Sequence, residues 1–411
     1  MIVISISILF DSKLVHVQPI PFRFRIVTWN AGKSEPDCDA FRHIAFPSVS
    51  NNIIVDLIVF GFQEATKTVV GSNSFHKTLK NCLQNENYTA IISGYVGSAI
   101  LKPIWLYIFA SDRIGKSQRV NLLKFKEEYI LKVYNGNFLG RITGYKGIIA
   151  SCIQIDKSIN MIFVNMHLPA GKGEKEERCR LWYKFLQEYQ SNIIKNDYLF
   201  AFGDQNWRTL NILSVEAILE AIKKEEYTTI FNHDELTQMR QKNSTESDTQ
   251  CLKDFFEAPI TFPPTYKYVL NSDAYQIEKD EEVRRPSYTD RILISTFSND
   301  LEIIQYSSIN DVKLSDHRPV FADMILHQRS KNNEMSKNTS TEKIRTTTNH
   351  IKTIVKQHIL TFLMTIATMT FVCILIFLVM CQLIIKCQTQ KTDMQQTAQI
   401  NIVGTPSSVE S

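Results

Sequence analysis

Six short strings hold the polar residues best suited to chemistry. "TWN" ends in Asn30, "GFQEA" carries Glu64 and "NMHLPAG" carries His167. "FGDQNWR" carries Asp204, Asn206 and Arg208, "RRPSYTDRILIST" brings Asp290, and "LSDHRPV" brings Asp316 and His317. Carboxylates and carboxamides without a cysteine form a hard-oxygen set, which suits Mg2+. Two histidines suit phosphate-oxygen contacts and proton transfer near neutral pH. Asp204 and Asn206, two positions apart at a strand end, point the same way. One can hold an attacking water while the other binds the reacting centre. This is equipment for metal-assisted hydrolysis of a phosphate ester. Taken singly, each residue reads better as a cap or turn residue; six such clusters in order do not.

The elements that must position them are strands. "FRIVTWN", "VDLIVFGFQEA", "NMIFVNMHL", "YLFAFGDQN" and "RILIST" read as buried strands. The first four end in polar residues, where an α/β scaffold displays its chemistry. "GEKEERCRLWYKFLQEYQSNIIK" reads as a helix, with Leu181, Trp182, Phe185, Leu186 and Tyr189 at helical spacing as its core face. The chain has 411 residues, enough for one large or two ordinary domains, and no internal repeat. A formal net charge of +4 gives no support to a general polyanion binder such as a nuclease. Eight cysteines occur without CxxC or CxxxH spacing, which excludes a zinc motif. In a chain this long they predict free thiols in a reducing compartment rather than a disulfide framework.

Beyond residue 327 the texture changes. Residues 328–357 are polar and carry seven basic residues, from Arg329 to Lys356, against Glu334 and Glu342. They read as a flexible basic tether suited to an anionic membrane surface. Ile359 to Ile385 contains no charged residue and exceeds the roughly 20 apolar residues that cross a bilayer. The expected organisation is therefore an N-terminal strand or extension (1–23), a catalytic domain (24–327), the tether (328–357), a transmembrane helix (358–386) and a short tail (387–411). The opening "MIVISISILF" alternates like a strand and lacks the basic flank of a secretory signal. A single C-terminal anchor with a more basic near side predicts a tail-anchored endomembrane protein whose domain faces the cytosol. The competing topology makes the N-terminus a signal and opens sequons at Asn87, Asn243 and Asn338 to glycans.

The order TWN, QE, NxHL, GDxN, SDHxP resembles the endonuclease/exonuclease/phosphatase superfamily. "FPPTYKY" (Phe262 to Tyr268), "RRPSYTDRIL" (Arg284 to Leu293) and "GRITGYKGIIA" (Gly140 to Ala150) narrow the resemblance to the inositol polyphosphate 5-phosphatases. It implies an α/β fold, a four-layer α-β-β-α sandwich of two mixed sheets. It also implies roles. Glu64, with Asn30 nearby, would bind Mg2+. Asp204 would orient and deprotonate water, and Asn206 would support the reacting phosphate. His167 and His317 would contact phosphate oxygens. Asp290 would orient His317, and Asp316 would help at the metal or position its neighbour. Lys267, Tyr266 and Arg284 would bind the neighbouring 4-phosphate, assisted by Lys146 and Arg208. The implied partners are a phosphoinositide lipid and an anionic membrane surface, with no nucleic acid.

Several positions depart from the family pattern: Gln205, Trp207, Tyr145, Ile148, Met166 and the pair Tyr288-Thr289. None removes an acid, a histidine or the candidate metal ligand. The rival readings are a sphingomyelinase-like phosphodiesterase, disfavoured by the PTYKY and xDRIL strings, and a phosphoinositide-binding pseudo-phosphatase, disfavoured by the intact acids and His317.

Overall fold

Strand-forming apolar runs of five to nine residues dominate the chain up to residue 327, and their pairing sets the architecture. The computed structural model describes residues 21–327 apart from 33, 49–53, 66–74, 98–102, 125–127, 129, 135–145, 172, 194–196, 242–250, 280–281 and 297, and further residues 370–378, 380 and 382. Its strands are β1 (Phe22–Asn30), β2 (Leu57–Gln63), β3 (Tyr88–Val96), β4 (Ile104–Ser111), β5 (Val120–Leu123), β6 (Ile130–Tyr134) and β7 (Gly147–Ile155). Then come β8 (Ile159–His167), β9 (Tyr198–Asp204), β10 (Glu278–Lys279), β11 (Glu282–Val283), β12 (Asp290–Thr296), β13 (Leu301–Ser308) and β14 (Val320–Leu326). The helices are α1 (Cys38–Ala45), α2 (Phe75–Asn85), α3 (Asp112–Ser117), α4 (Lys175–Ile193), α5 (Val215–Lys223), α6 (Tyr227–Phe231) and α7 (Glu235–Gln241).

One six-stranded sheet runs β13-β14-β1-β2-β4-β3. The other runs β12-β9-β8-β7-β5, with β6 also paired to β7. Both are mixed, because β1 is parallel to β2 and β8 to β9 while their other pairings are antiparallel. The central strands β2 and β9 are buried along their whole length, so they need apolar residues on both faces. The edge strand β3 alternates between buried and exposed positions instead.

Three apolar layers hold the stack. Phe24, Ile26, Val59 and Ile108 of the first sheet pack with Phe163, Phe200, Phe202 and Ile292 of the second. Phe41, Phe75 and Leu79 of α1 and α2 cover the outside of the first sheet through Phe60 and Phe62. Cys179, Trp182 and Phe185 of α4 cover the second, against Val164 and Ala201. This is the expected two-sheet sandwich with helices outside.

Register carries the sequence clusters together. Parallel β1 and β2 set Asn30 beside Gln63, the residue before Glu64. Parallel β8 and β9 set His167 beside Asp204, and antiparallel β12 sets Asp290 opposite Asp204. Gly203 adopts φ +134, and a Cβ there would collide with the Met166 backbone. That close approach of β9 to β8 demands glycine immediately before Asp204.

Two outcomes differ from the sequence reading. Cys38 of α1 is bonded to Cys82 of α2, with Cα atoms 5.5 Å apart, and Cys179 of α4 is bonded to Cys251, at 5.2 Å. Linear spacing hid these pairs because they close separations of 44 and 72 residues. The expectation of free thiols is thus corrected for four cysteines, while Cys152 is free and buried. Second, β1 begins at Phe22, paired with Leu326, just ahead of the predicted domain boundary.

The predicted tether, tail, most of the N-terminal stretch and residues 140–145 of the glycine–lysine loop lie outside the described residues. So does most of the predicted transmembrane segment. Within it, Thr370–Leu378, Met380 and Gln382 are helical and exposed. Among the described residues no helix is long and apolar enough to cross a membrane.

Candidate active site

Asp204 is the hub. It ends β9 at 1% exposure, and its Oδ2 accepts a 2.9 Å hydrogen bond from Asn30 Nδ2. The same oxygen lies 3.1 Å from His167 Nε2 and 3.9 Å from His317 Nε2. Oδ1 accepts from the backbone N–H of Asn206 at 3.1 Å. Burial alone would raise this carboxyl, but the charge of His317, the hydrogen bond and charge of His167, and Lys146 outweigh it and hold it far below the usual carboxylate range. Asp204 is therefore ionised at any working pH.

Asp290 and His317 form the second tier. Asp290 Oδ2 meets His317 Nδ1 at 2.9 Å and accepts hydroxyl hydrogen bonds from Thr265 at 2.7 Å and Thr289 at 2.8 Å. Its Oδ1 is buried with no hydrogen-bond partner among the described residues. Burial raises the Asp290 carboxyl, with the facing imidazole opposing. For His317, burial favours the neutral ring, but Asp290, Asp204 and Asp316 prevail and push its pKa up to about 10. The imidazole is thus a cation at neutral pH, and the Tyr266 ring packs against it at 4.4 Å.

His167 behaves in the opposite way. Burial first, then the nearby Lys146 ammonium, lower its pKa, against the pull of Asp204 and Glu64. A neutral imidazole offers one function per nitrogen. Its Nε2 is shared by Asp204 and by Lys146 Nζ, which also touches it. Both cannot be served at once. Glu64 sits just past β2 with φ +55, a left-handed conformation unusual for a glutamate.

Asp204, Asp290 and His317 place ligand atoms within 4.8 Å of one another. However, His317 Nδ1 and Asp290 Oδ2 already bind each other. Of the ligands that the resemblance implies, Glu64 is half-buried and acts on the His167 ring through its charge, while Asn30 Oδ1 accepts from the Gly32 N–H at 3.1 Å; oxygen donors of this kind suit a divalent ion such as Mg2+ or Ca2+.

A cleft adjoins the hub, lined by Arg208, Tyr266, Arg284, Arg285 and Ser287. Asn206, itself at φ +58, accepts from the Arg208 guanidinium at 2.6 Å and donates to Leu168 O at 3.1 Å. The guanidinium lies 4.5 Å over the Tyr266 ring, a cation–π contact that fixes its plane. Lys267 Nζ pairs with Asp316 at 2.9 Å. Burial opposes ionisation of Asp316, yet His317 and Lys267 hold its pKa down. Arg285 donates to Leu213 O and Asn211.

Sequence reasoning missed Thr265 and Thr289. Both lie inside quoted strings, but only pairing in space shows their hydroxyls converging on one Asp290 oxygen. The departures from the family pattern face inward. Trp207 donates to Gln205 at 3.0 Å beneath the Arg178 guanidinium, and Tyr288 donates to Phe262 O at 2.9 Å. Ile148 and Met166 are core residues of the second sheet, and Tyr145 lies outside the described residues.

A family model described as endonuclease/exonuclease/phosphatase family 2 matches residues 27–323. Phosphatidylinositol 4,5-bisphosphate 5-phosphatase A of Mus musculus is 27% identical over 333 residues, covering 74% of this chain and 31% of that protein. Synaptojanin of Caenorhabditis elegans is 28% identical over 286 residues, covering 67% and 24%. The chain thus spans about a third or less of the length of these relatives. Among solved structures, the inositol polyphosphate 5-phosphatase domain of SPsynaptojanin, in complex with inositol (1,4)-bisphosphate and calcium ion, aligns with a TM-score of 0.56 at 22% identity, covering 83% of this chain and 92% of that one. Cimex nitrophorin, as a ferrous NO complex, aligns with a TM-score of 0.57 at 17% identity, covering 75% and 100%. Likeness at this level shows the fold alone.

Proposed function

The chain belongs to endonuclease/exonuclease/phosphatase family 2, and from that premise we propose that it is a Mg2+-dependent phosphatase removing the 5-phosphate from an inositol ring that bears a neighbouring 4-phosphate, as in PI(4,5)P2. The observation that carries this reading is the Asp204 hub beside the arginine-lined cleft, joined to it through Arg208 on Asn206 and Tyr266 on His317. The names of the relatives support the substrate class, since they include an inositol-1,4,5-trisphosphate 5-phosphatase of Schizosaccharomyces pombe as well as the lipid 5-phosphatases.

In this mechanism Asp204, ionised and restrained by Asn30, accepts a hydrogen bond from the attacking water and takes its proton as the new P–O bond forms and the P–O bond to the ring oxygen breaks, that oxygen taking up a proton from solvent as the inositol hydroxyl leaves. The cationic His317 and Lys146 meet the negative charge that grows on the phosphoryl oxygens and leaving group. Asp290 keeps His317 charged and oriented, as a carboxylate does for a catalytic imidazole. Asn206 steadies Arg208, whose planar fork suits a ring phosphate. Lys267, held ready by Asp316, supplies a point charge for the 4-phosphate. A divalent ion bound by Glu64, with Asn30 beside it, would polarise a phosphoryl oxygen. The segment Ile359 to Ile385 would tether the domain to a bilayer.

The test is phosphate release from matched inositol phosphates and phosphoinositides with and without the 5-phosphate, titrated with Mg2+. Release only from 5-phosphorylated substrates, with a rightward Mg2+ shift in Glu64→Gln, is expected. Cleavage of a phosphodiester such as sphingomyelin, or no turnover on any inositol phosphate, would reject the reading.

A further inference from the structure

The two disulfides and an exposed sequon address a question that the catalytic site leaves open. Of the five cysteines before residue 300, four are joined in two pairs, each at a Cα separation ordinary for a disulfide. The pairs are independent of each other. One ties α1 to α2 outside the first sheet, and the other ties α4 to Cys251 outside the second. Such bonds persist in oxidising compartments and are rare in the cytosol.

Five residues past Cys82 lies the sequon Asn87-Tyr88-Thr89. Asn87 occupies the turn between α2 and β3 with φ +64, and both Asn87 and Thr89 are exposed. Tyr88 between them is buried and donates to Val55 O at 2.7 Å, which anchors the turn. The site also lies clear of the chemistry. Tyr88 pairs with Ser111 and Leu57 with Ala110, so the start of β3 sits at the end of the sheet remote from Asn30 and Gln63. A glycan there would leave the Asp204 cleft open.

We infer that the catalytic domain matures on the oxidising side of a membrane, closed by Cys38–Cys82 and Cys179–Cys251 and bearing an N-linked glycan at Asn87, so that the inositol phosphate of the proposed reaction would be met on that side rather than on a cytosolic leaflet. Each disulfide forms by exchange with a disulfide-carrying oxidoreductase. Two thiols lose two protons and two electrons, an S–S bond forms, and the oxidoreductase disulfide is reduced to a dithiol. Glycosylation takes an oligosaccharide from a lipid-linked pyrophosphate donor. The sugar–phosphate bond breaks, a bond forms to the Asn87 amide nitrogen, and that nitrogen's proton leaves with the lipid pyrophosphate. The basic stretch 328–357 argues for the cytosolic side instead. That is a statistical bias of insertion, however, whereas disulfides require an oxidant to form.

The test uses the full chain expressed in eukaryotic cells. Cells are lysed into denaturant with one alkylating reagent, then reduced and labelled with a second, and the peptides are mapped by mass. Cys38, Cys82, Cys179 and Cys251 should take only the second label, and Cys152 the first. Peptide N-glycosidase should convert Asn87 to aspartate. Thr89→Ala should lose one glycan's mass, and Thr89→Ser should keep it. First-label modification of those four thiols, or an Asn87 left unmodified, overturns the inference. Neither readout depends on catalysis.

Discussion

Asp290 and Arg291 are neighbours in β12, both fully buried, and they serve two clusters with the same charge plan. On one face of the strand, His317 is a cation between Asp290 and Asp204. On the other face, Arg291 is a cation between Asp234, at 2.9 Å, and Glu257, at 2.5 Å. Each places two carboxylates around one positive group. The difference is the proton. Arginine keeps its charge in any protein environment, and here Asp234 and Glu257 outweigh burial and raise its pKa further. Its Nε and both terminal nitrogens are hydrogen-bonded, and the guanidinium lies 5.2 Å over Phe231. That cluster is a clasp between β12 and the helical layer. Histidine can give up its proton, and the Tyr266 ring packed against it lines a cleft. Equal burial and charge thus make a fastening in one place and, in the proposed function, a reactive centre in the other. The separator is whether the central cation can titrate.

Substitution on each face should separate the two roles. Asp204→Asn keeps the shape but removes the base. Turnover should fall by about 10²–10⁴, the usual worth of general-base catalysis, while the thermal midpoint stays near wild type. Near-normal turnover in a folded variant would remove Asp204 from its role. Arg291→Met should do the reverse. It leaves two buried carboxylates unpaired, at a cost of about 3–5 kcal/mol, read as a lower urea midpoint. The folded fraction should retain activity, and a variant of wild-type stability but low turnover would erase the contrast.

The third contrast is in pH dependence, whose effect is small per pH unit. The folded pKa of His317 is about 10, against about 6.5 for an unfolded imidazole. The folded state thus holds the proton more tightly. Its stabilisation is complete below about pH 6.5 and is lost as pH rises towards 10, with a slope of at most about 1.4 kcal/mol per pH unit. Unfolding free energies measured by urea from pH 6 to 10 should therefore fall in wild type and flatten in His317→Gln. The Arg291 clasp contributes nothing to the slope in this window. An unchanged slope in the variant would mean that His317 is not charged in the folded protein.

Much of the site was legible because its chemistry sits at strand ends. Asn30, His167 and Asp204 close apolar runs that can only be strands, and Asp290 opens one. A strand's apolar pattern fixes its location in the core, and the polar residue at its tip follows. The order of such tips was enough to recognise the family and to anticipate two mixed sheets between helices. What the chain's order could not give was contact between distant segments. The convergence of Thr265 and Thr289 on one oxygen depends on loop geometry across 23 intervening residues, where no period applies. The split between His167, driven neutral, and His317, driven to a cation, depends on which carboxylates and ammonium surround each ring, because field strength falls with distance through space rather than along sequence. The two disulfides likewise required Cα atoms to meet within 6 Å after separations of 44 and 72 residues. Local patterning determined the elements and their reactive tips; only packing decided protonation and cross-linking.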